Sequence, residues 1–86
     1  MRPEDVREHL EARPFEAIRL FMSDGATFDV LHPDMCIVSR SAVYVGVPDR
    51  RNPGIAVRVA HCALIHITRI EPLNGQRARG RRRRAP

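Results

Sequence analysis

The chain contains no lysine and no tryptophan, only two cysteines, and three phenylalanines and one tyrosine as its aromatics. Each shortage excludes something. No apolar run approaches the length that crosses a bilayer as a helix. The opening residues Met1-Arg2-Pro3-Glu4-Asp5 are acidic and lack an apolar segment, which excludes a signal peptide and predicts a cytoplasmic protein. In that reducing setting Cys36 and Cys62 are expected to stay as thiols. No Cys-x-x-Cys pair is present, and the scattered glycines have no phosphate-loop spacing.

Every one of the fifteen basic side chains is an arginine, a bias that a GC-rich genome also produces. Six of them, Arg77, Arg79, Arg81, Arg82, Arg83 and Arg84, fall in the last ten residues, which hold no acid. Residues 1–76 set nine arginines against ten carboxylates, so the net charge of +5 belongs to the tail and not to the body.

Eighty-six residues make one domain whose core is small. Stability at that size draws on sheet closure or oligomerisation when disulfides and metals are missing.

Residues 3–13 read as a helix. Pro3 suits the first turn, Glu4 and Asp5 suit the positive end of the helix dipole, and Pro14 stops it. Its apolar stripe, Val6 and Leu10, is narrow enough only to cover an end or edge of something else. From residue 17 the apolar period becomes two. Ile18, Leu20 and Met22 alternate with Arg19 and Phe21. Ser23-Asp24-Gly25 is a turn, and Phe28 and Val30 continue the alternation, which predicts a hairpin with one buried face. His32-Pro33-Asp34-Met35 interrupts the pattern, with Asp34 as a cap. Strands are expected at 36–39, 42–47, 55–60 and 65–70, with a polar loop at 48–54 and a short turn at 61–64. From residue 74 the composition cannot form a core.

Short strands without crossover helices imply antiparallel pairing. A body of this size does not build two sheets of sandwich dimensions. The expected fold is therefore mainly β: a short N-terminal helix followed by a five-stranded, strongly bent antiparallel small barrel over residues 1–73, with a disordered Arg-rich tail over 74–86.

The layout of helix, strand, Asp-Gly turn, bent strands and final strand is similar to the Sm fold, including the bacterial Hfq proteins, within the SH3-like barrels. Residues 18–25 (IRLFMSDG) look like its first strand and turn, and 63–72 (ALIHITRIEP) like its ending. Arg13-Pro14-Phe15, His32-Pro33-Asp34 and residues 66–72 also resemble a group of small bacterial proteins that brings no activity with it. In the Hfq proteins a Lys-His pair before the last strand contacts RNA. The nearest position here is His61, preceded by Ala60.

His61-Cys62 with His66, and His32 with Cys36, carry metal-ligand atoms but not paired-knuckle spacing. Their bland reading is packing, since a buried thiol acts as a small hydrophobe. Cys36, Cys62, Ser39 and Ser41 lie in the same chain as His61 and His66, yet no pattern flags an activated nucleophile. The carboxylates Glu4, Asp5, Glu8 and Glu11 sit on a solvated helix face. Neither an enzyme nor a cofactor nor a small-molecule substrate is expected.

The tail is the strongest charge feature. Full engagement of six arginines with a single strand gives a salt slope of roughly −4. Tyr44, flanked by Val43 and Val45, is expected to face outward. The expectation is thus a non-enzymatic binding module, with RNA as the favoured partner through the arginine tail, His61 and Tyr44. The alternative is a protein-interaction or assembly module with an incidental tail. A homo-oligomer is expected, with residues 55–60 or 65–70 as pairing edges.

Overall fold

The computed structural model describes residues 1–73. Its elements run α1 (Pro3–Glu11), β1 (Ile18–Met22), β2 (Thr27–Val30), β3 (Cys36–Val38), β4 (Ala42–Pro48), β5 (Ala56–Ala63) and β6 (Ile67–Pro72), with 3-10 turns at Pro33–Met35 and Leu64–His66. The expectations for 74–86, including all six tail arginines, lie outside the described residues.

The mainly β class with one N-terminal helix is what forms. The closed five-stranded barrel is not. Six strands make two separate antiparallel sheets of three, ordered β2-β1-β6 and β3-β4-β5. The two 3-10 turns show why. Between β2 and β3, Pro33 has no N–H to give a ladder, and the Met35 N–H instead bonds His32 O at 3.0 Å. Between β5 and β6, the Ile67 N–H returns to Leu64 O. Each turn interrupts the ladder at a corner where a barrel would need it to continue.

α1 stops at Glu11, two residues short of the expected end. The residue before a proline avoids helical backbone, and Ala12 is already extended. Arg13 covers the loose end, donating from Nη1 to Leu10 O at 3.0 Å and Ala12 O at 2.8 Å. At the other end the Asp5 carboxylate accepts from the Arg2 N–H at 3.1 Å.

The expected β1–β2 hairpin forms, with Ile18 opposite Val30 and Leu20 opposite Phe28. Gly25 takes φ +93, the conformation its turn demands. β1 lies at the centre of its sheet because β6 pairs on its other side, Leu20 opposite Ile70.

Two expectations near the end of the chain fail together. Residues 61–63 of the expected turn are strand, and the turn is 64–66. Cys62 and Ala63 continue the β5 ladder opposite Val43 and Ala42. The buried residues Ala60 and Cys62 hold the two-residue period through that stretch.

The inner faces of both sheets form one core. Ile18, Leu20 and Val30 meet Val43, Val45 and Cys62, all at most 1 % exposed, and Val6 of α1 joins them. Both cysteines are inside, on either side of β4: Cys36 opposite Val45, and Cys62 opposite Val43. No helix among the described residues is long and apolar enough to cross a membrane.

Candidate functional site

The two outer faces differ in kind. On the first sheet the alternation of β1 turns Arg19 and Phe21 outward, and both find partners. Arg19 donates from Nε to Asp29 Oδ1 at 2.7 Å and from Nη2 to Oδ2 at 3.1 Å. The Arg69 guanidinium lies 3.9 Å from the centroid of Phe21 and donates from Nε to Glu71 at 2.8 Å. Phe21 is thereby half-covered by a cation. This face is closed by its own ion pairs.

The outer face of the second sheet is apolar and open. β4 sends Val43 and Val45 inward, so Tyr44 and Gly46 face out. β3 adds Ile37, and β5 adds Ala56, Val59 and His61. The ladder sets Ile37, Tyr44 and His61 in one row across three strands, with Gly46 and Val59 in the next. Ile37 is 67 % exposed, Val59 62 % and Val57 60 %. Tyr44 and His61 stack, with ring centroids 5.1 Å apart and planes 9° apart. Where a side chain on Gly46 would stand, Met35 Cε lies 3.0 Å away and Ala56 Cβ 3.3 Å away. Beside them is an open hollow of about 170 Å³, lined by Asp34, Met35, Ile37, Tyr44 and Val59 among others.

A second hollow, of about 320 Å³, brings His61 and His66 together with Ser23 and Asp24. Ser23 Oγ lies 3.2 Å from His66 Nδ1. Asp24 does not join them: its Oδ1 accepts the Ala26 N–H at 2.9 Å, within the turn. The third, about 280 Å³, opens between the sheets, with Phe28, Leu31, Val45 and Val47 as walls and Arg58 at the side.

Of the residues named from the sequence, the structure brings Tyr44 and His61 together. His61 reaches Tyr44 because it lies in β5, not in the expected turn. The metal-ligand set is split. Cys36 and Cys62 point into the core, while His32, His61 and His66 are exposed. Cys62 and His66 are separated by the start of the 3-10 turn, Cys62 in β5 and His66 at the turn's end. Among the described residues no three His, Cys, Asp or Glu side chains gather. Burial, and secondly the neighbouring Cys62, pushes the Cys36 thiol up to about 11, and burial also raises Cys62. Both are therefore held away from the thiolate that nucleophilic or metal chemistry uses. Ser39 is occupied with the Ala42 backbone at 3.0 Å.

Sequence reasoning missed Ile37, Val57 and Val59 as surface residues. The signal was the phase of the small residues: Ala60 and Cys62 share a face, which puts Val59 and His61 on the other, while Val57 is the extra residue of a bulge.

Comparison with known proteins finds no matching family model, no matching curated protein and no matching solved structure. The fold and the face define a small antiparallel two-sheet domain with an N-terminal helix and one open apolar face.

Proposed function

We propose that this chain is a non-enzymatic protein-interaction module that docks an apolar surface of a partner protein on the outer face of β3–β4–β5. The observation that carries the reading is the contrast between faces: ion pairs close one, while Ile37 and Val59 stand more than half exposed on the other. Contiguous aliphatic exposure on a sheet is a mark of interaction sites. The body's nine arginines are matched by ten carboxylates, so it has no net positive charge to attract a phosphate backbone.

A second reading, single-stranded RNA, is favoured by one observation, the Tyr44–His61 pair. Bases stack on exposed aromatic rings, and the arginine-rich sequence that follows would meet phosphates. Geometry weighs against it, since each ring already covers one face of the other. The Sm/SH3-like relationship is likewise a proposal. It is supported by the pairing of the first and last strands and by the 3-10 turn before β6, as in such a layout opened at two corners.

Site-specific photocrosslinking in cells tests the function. A benzophenone side chain at position 37 should give a discrete protein adduct, and Val59→Glu in the same chain should abolish it. The same probe at Thr27, exposed on the first sheet, should give none. Equal adducts at both positions would overturn the reading. Adducts with RNA alone would move it to the second.

A further inference from the structure

Each sheet leaves two strands with one free edge among the described residues: β2 and β6 in the first, β3 and β5 in the second. Three are blunted. β2 has four residues and β3 three, too short for much of a ladder. β6 carries the Arg69–Glu71 ion pair and ends in Pro72. β5 differs in length. It has eight residues, the longest strand, and no proline; its one irregularity is the extra residue Val57, and from Arg58 to Ala63 it runs in unbroken register with β4. At about 3.4 Å per residue its free edge runs about 27 Å.

β5 is also exposed in an unusual way. From Ala60 onward it alternates buried and exposed, as a strand on a core should. From Ala56 to Val59 it is exposed on both faces. The β4–β5 ribbon thus projects past the body, carrying Val57 at 60 % and Val59 at 62 % exposure. A long, apolar, uncovered edge is a template for another strand.

We infer that β5 pairs antiparallel with β5 of a second copy, about a two-fold axis through Val59. The sequence of the strand favours itself as the partner. With Val59 on the axis, Val59 meets Val59 of the other copy, Val57 meets His61, and Arg58 meets Ala60. No like charges stand opposite each other. Moving the axis to Arg58 would set arginine against arginine, which destabilises a cross-strand pair. The result is one six-stranded sheet, β3-β4-β5 twice over, with the two apolar outer faces continuous across the axis. Pairing also relieves the small core of a single copy. It requires nothing of what docks on the outer face.

Sedimentation equilibrium of the full chain, with paired single-cysteine additions, tests this. The wild-type chain should show a concentration-dependent monomer–dimer equilibrium. Val59→Glu, at a position already in water, should keep the circular dichroism of the wild type and weaken the dimer about tenfold or more. Under mild oxidation Val59→Cys should form a disulfide-linked dimer, because opposite Cβ atoms sit about 4.5–5.5 Å apart. Val57→Cys should not, because its own counterpart lies four residues along the strand. Native Cys36 and Cys62 are buried and stay silent. A monomer at all concentrations, a dimer indifferent to Val59→Glu, a larger ring, or linkage by Val57→Cys alone would each overturn the inference.

Discussion

Tyr44 and His61 are direct partners in the β4–β5 ladder, and their rings lie nearly parallel, 9° apart, on the solvent side of the sheet. An aromatic pair of this kind contributes about 0.5–1.5 kcal/mol beyond the area it buries. Tyr44→Leu should lower stability by about that amount. In the proton NMR spectrum the His61 ring signals should move downfield as the tyrosine ring current is lost. Unmoved His61 signals would mean that the two rings do not stack in solution.

Leu20 is fully buried at the centre of the first sheet, between Phe28 on one neighbour and Ile70 on the other. Leu20→Ala should cost about 2–5 kcal/mol, read as a lower urea midpoint with little change in slope. In a domain this small that is a large share of the total. By contrast Ile65→Ala, at a site 84 % exposed, should change stability by no more than about 0.5 kcal/mol.

The two thiols give a pH dependence of definite sign. Burial raises Cys36 from 9.0 to about 11. Below pH 9 both folded and unfolded chains keep this proton, and stability is whole. Above pH 9 the unfolded chain ionises first, so stability falls, by up to about 1.4 kcal/mol per pH unit, until pH passes about 11. Urea melts at intervals from pH 8 to 11 should show the decline, and Cys36→Ala should flatten it. In the folded chain both thiols should also resist a thiol reagent at pH 8 and react on unfolding.

Gly25 holds φ +93 in the β1–β2 turn, where its N–H bonds Met22 O at 3.0 Å. Space is not the constraint, since nothing lies within 4 Å of a Cβ there. Gly25→Ala should therefore destabilise by about 1 kcal/mol through backbone conformation alone, and Gly25→Asn by less. Thermal melts of the two variants decide between strain and contact.

The Arg19–Asp29 bridge joins β1 to β2 by two hydrogen bonds, with both side chains 35 % exposed. A double-mutant cycle with Arg19→Ala and Asp29→Ala should return a coupling of about 0.5–1 kcal/mol, decreasing with salt. A coupling of zero would reduce the bridge to surface decoration.

Much of the fold was legible in the period-two stretches. Ile18, Leu20, Phe28 and Val30 announced a hairpin with one buried face, and Pro33 announced a break. The number of sheets was not legible. Whether a break is a bend within one sheet or a gap between two depends on which backbone N–H groups find a partner across the corner, and side-chain pattern does not record that. The ending was misread for a related reason. His61 between Ala60 and Cys62 lacks strong strand formers, so propensity suggested a turn, while burial of the two small residues decided for a strand. At the candidate site Tyr44 was readable from its outward phase on β4. Ile37 and Val59 were not, because an aliphatic residue in a strand is ordinarily assigned to the core. Recognising them needed the phase of β5, which only its pairing with β4 fixes.

The corner turns at Pro33–Met35 and Leu64–His66 carry the chain between the sheets just twice, and no ladder spans the gap. The molecule is consequently built as two plates laced by greasy side chains. Prying them apart would leave every rung within each plate in place, so amide exchange should report two protected blocks with separate opening free energies.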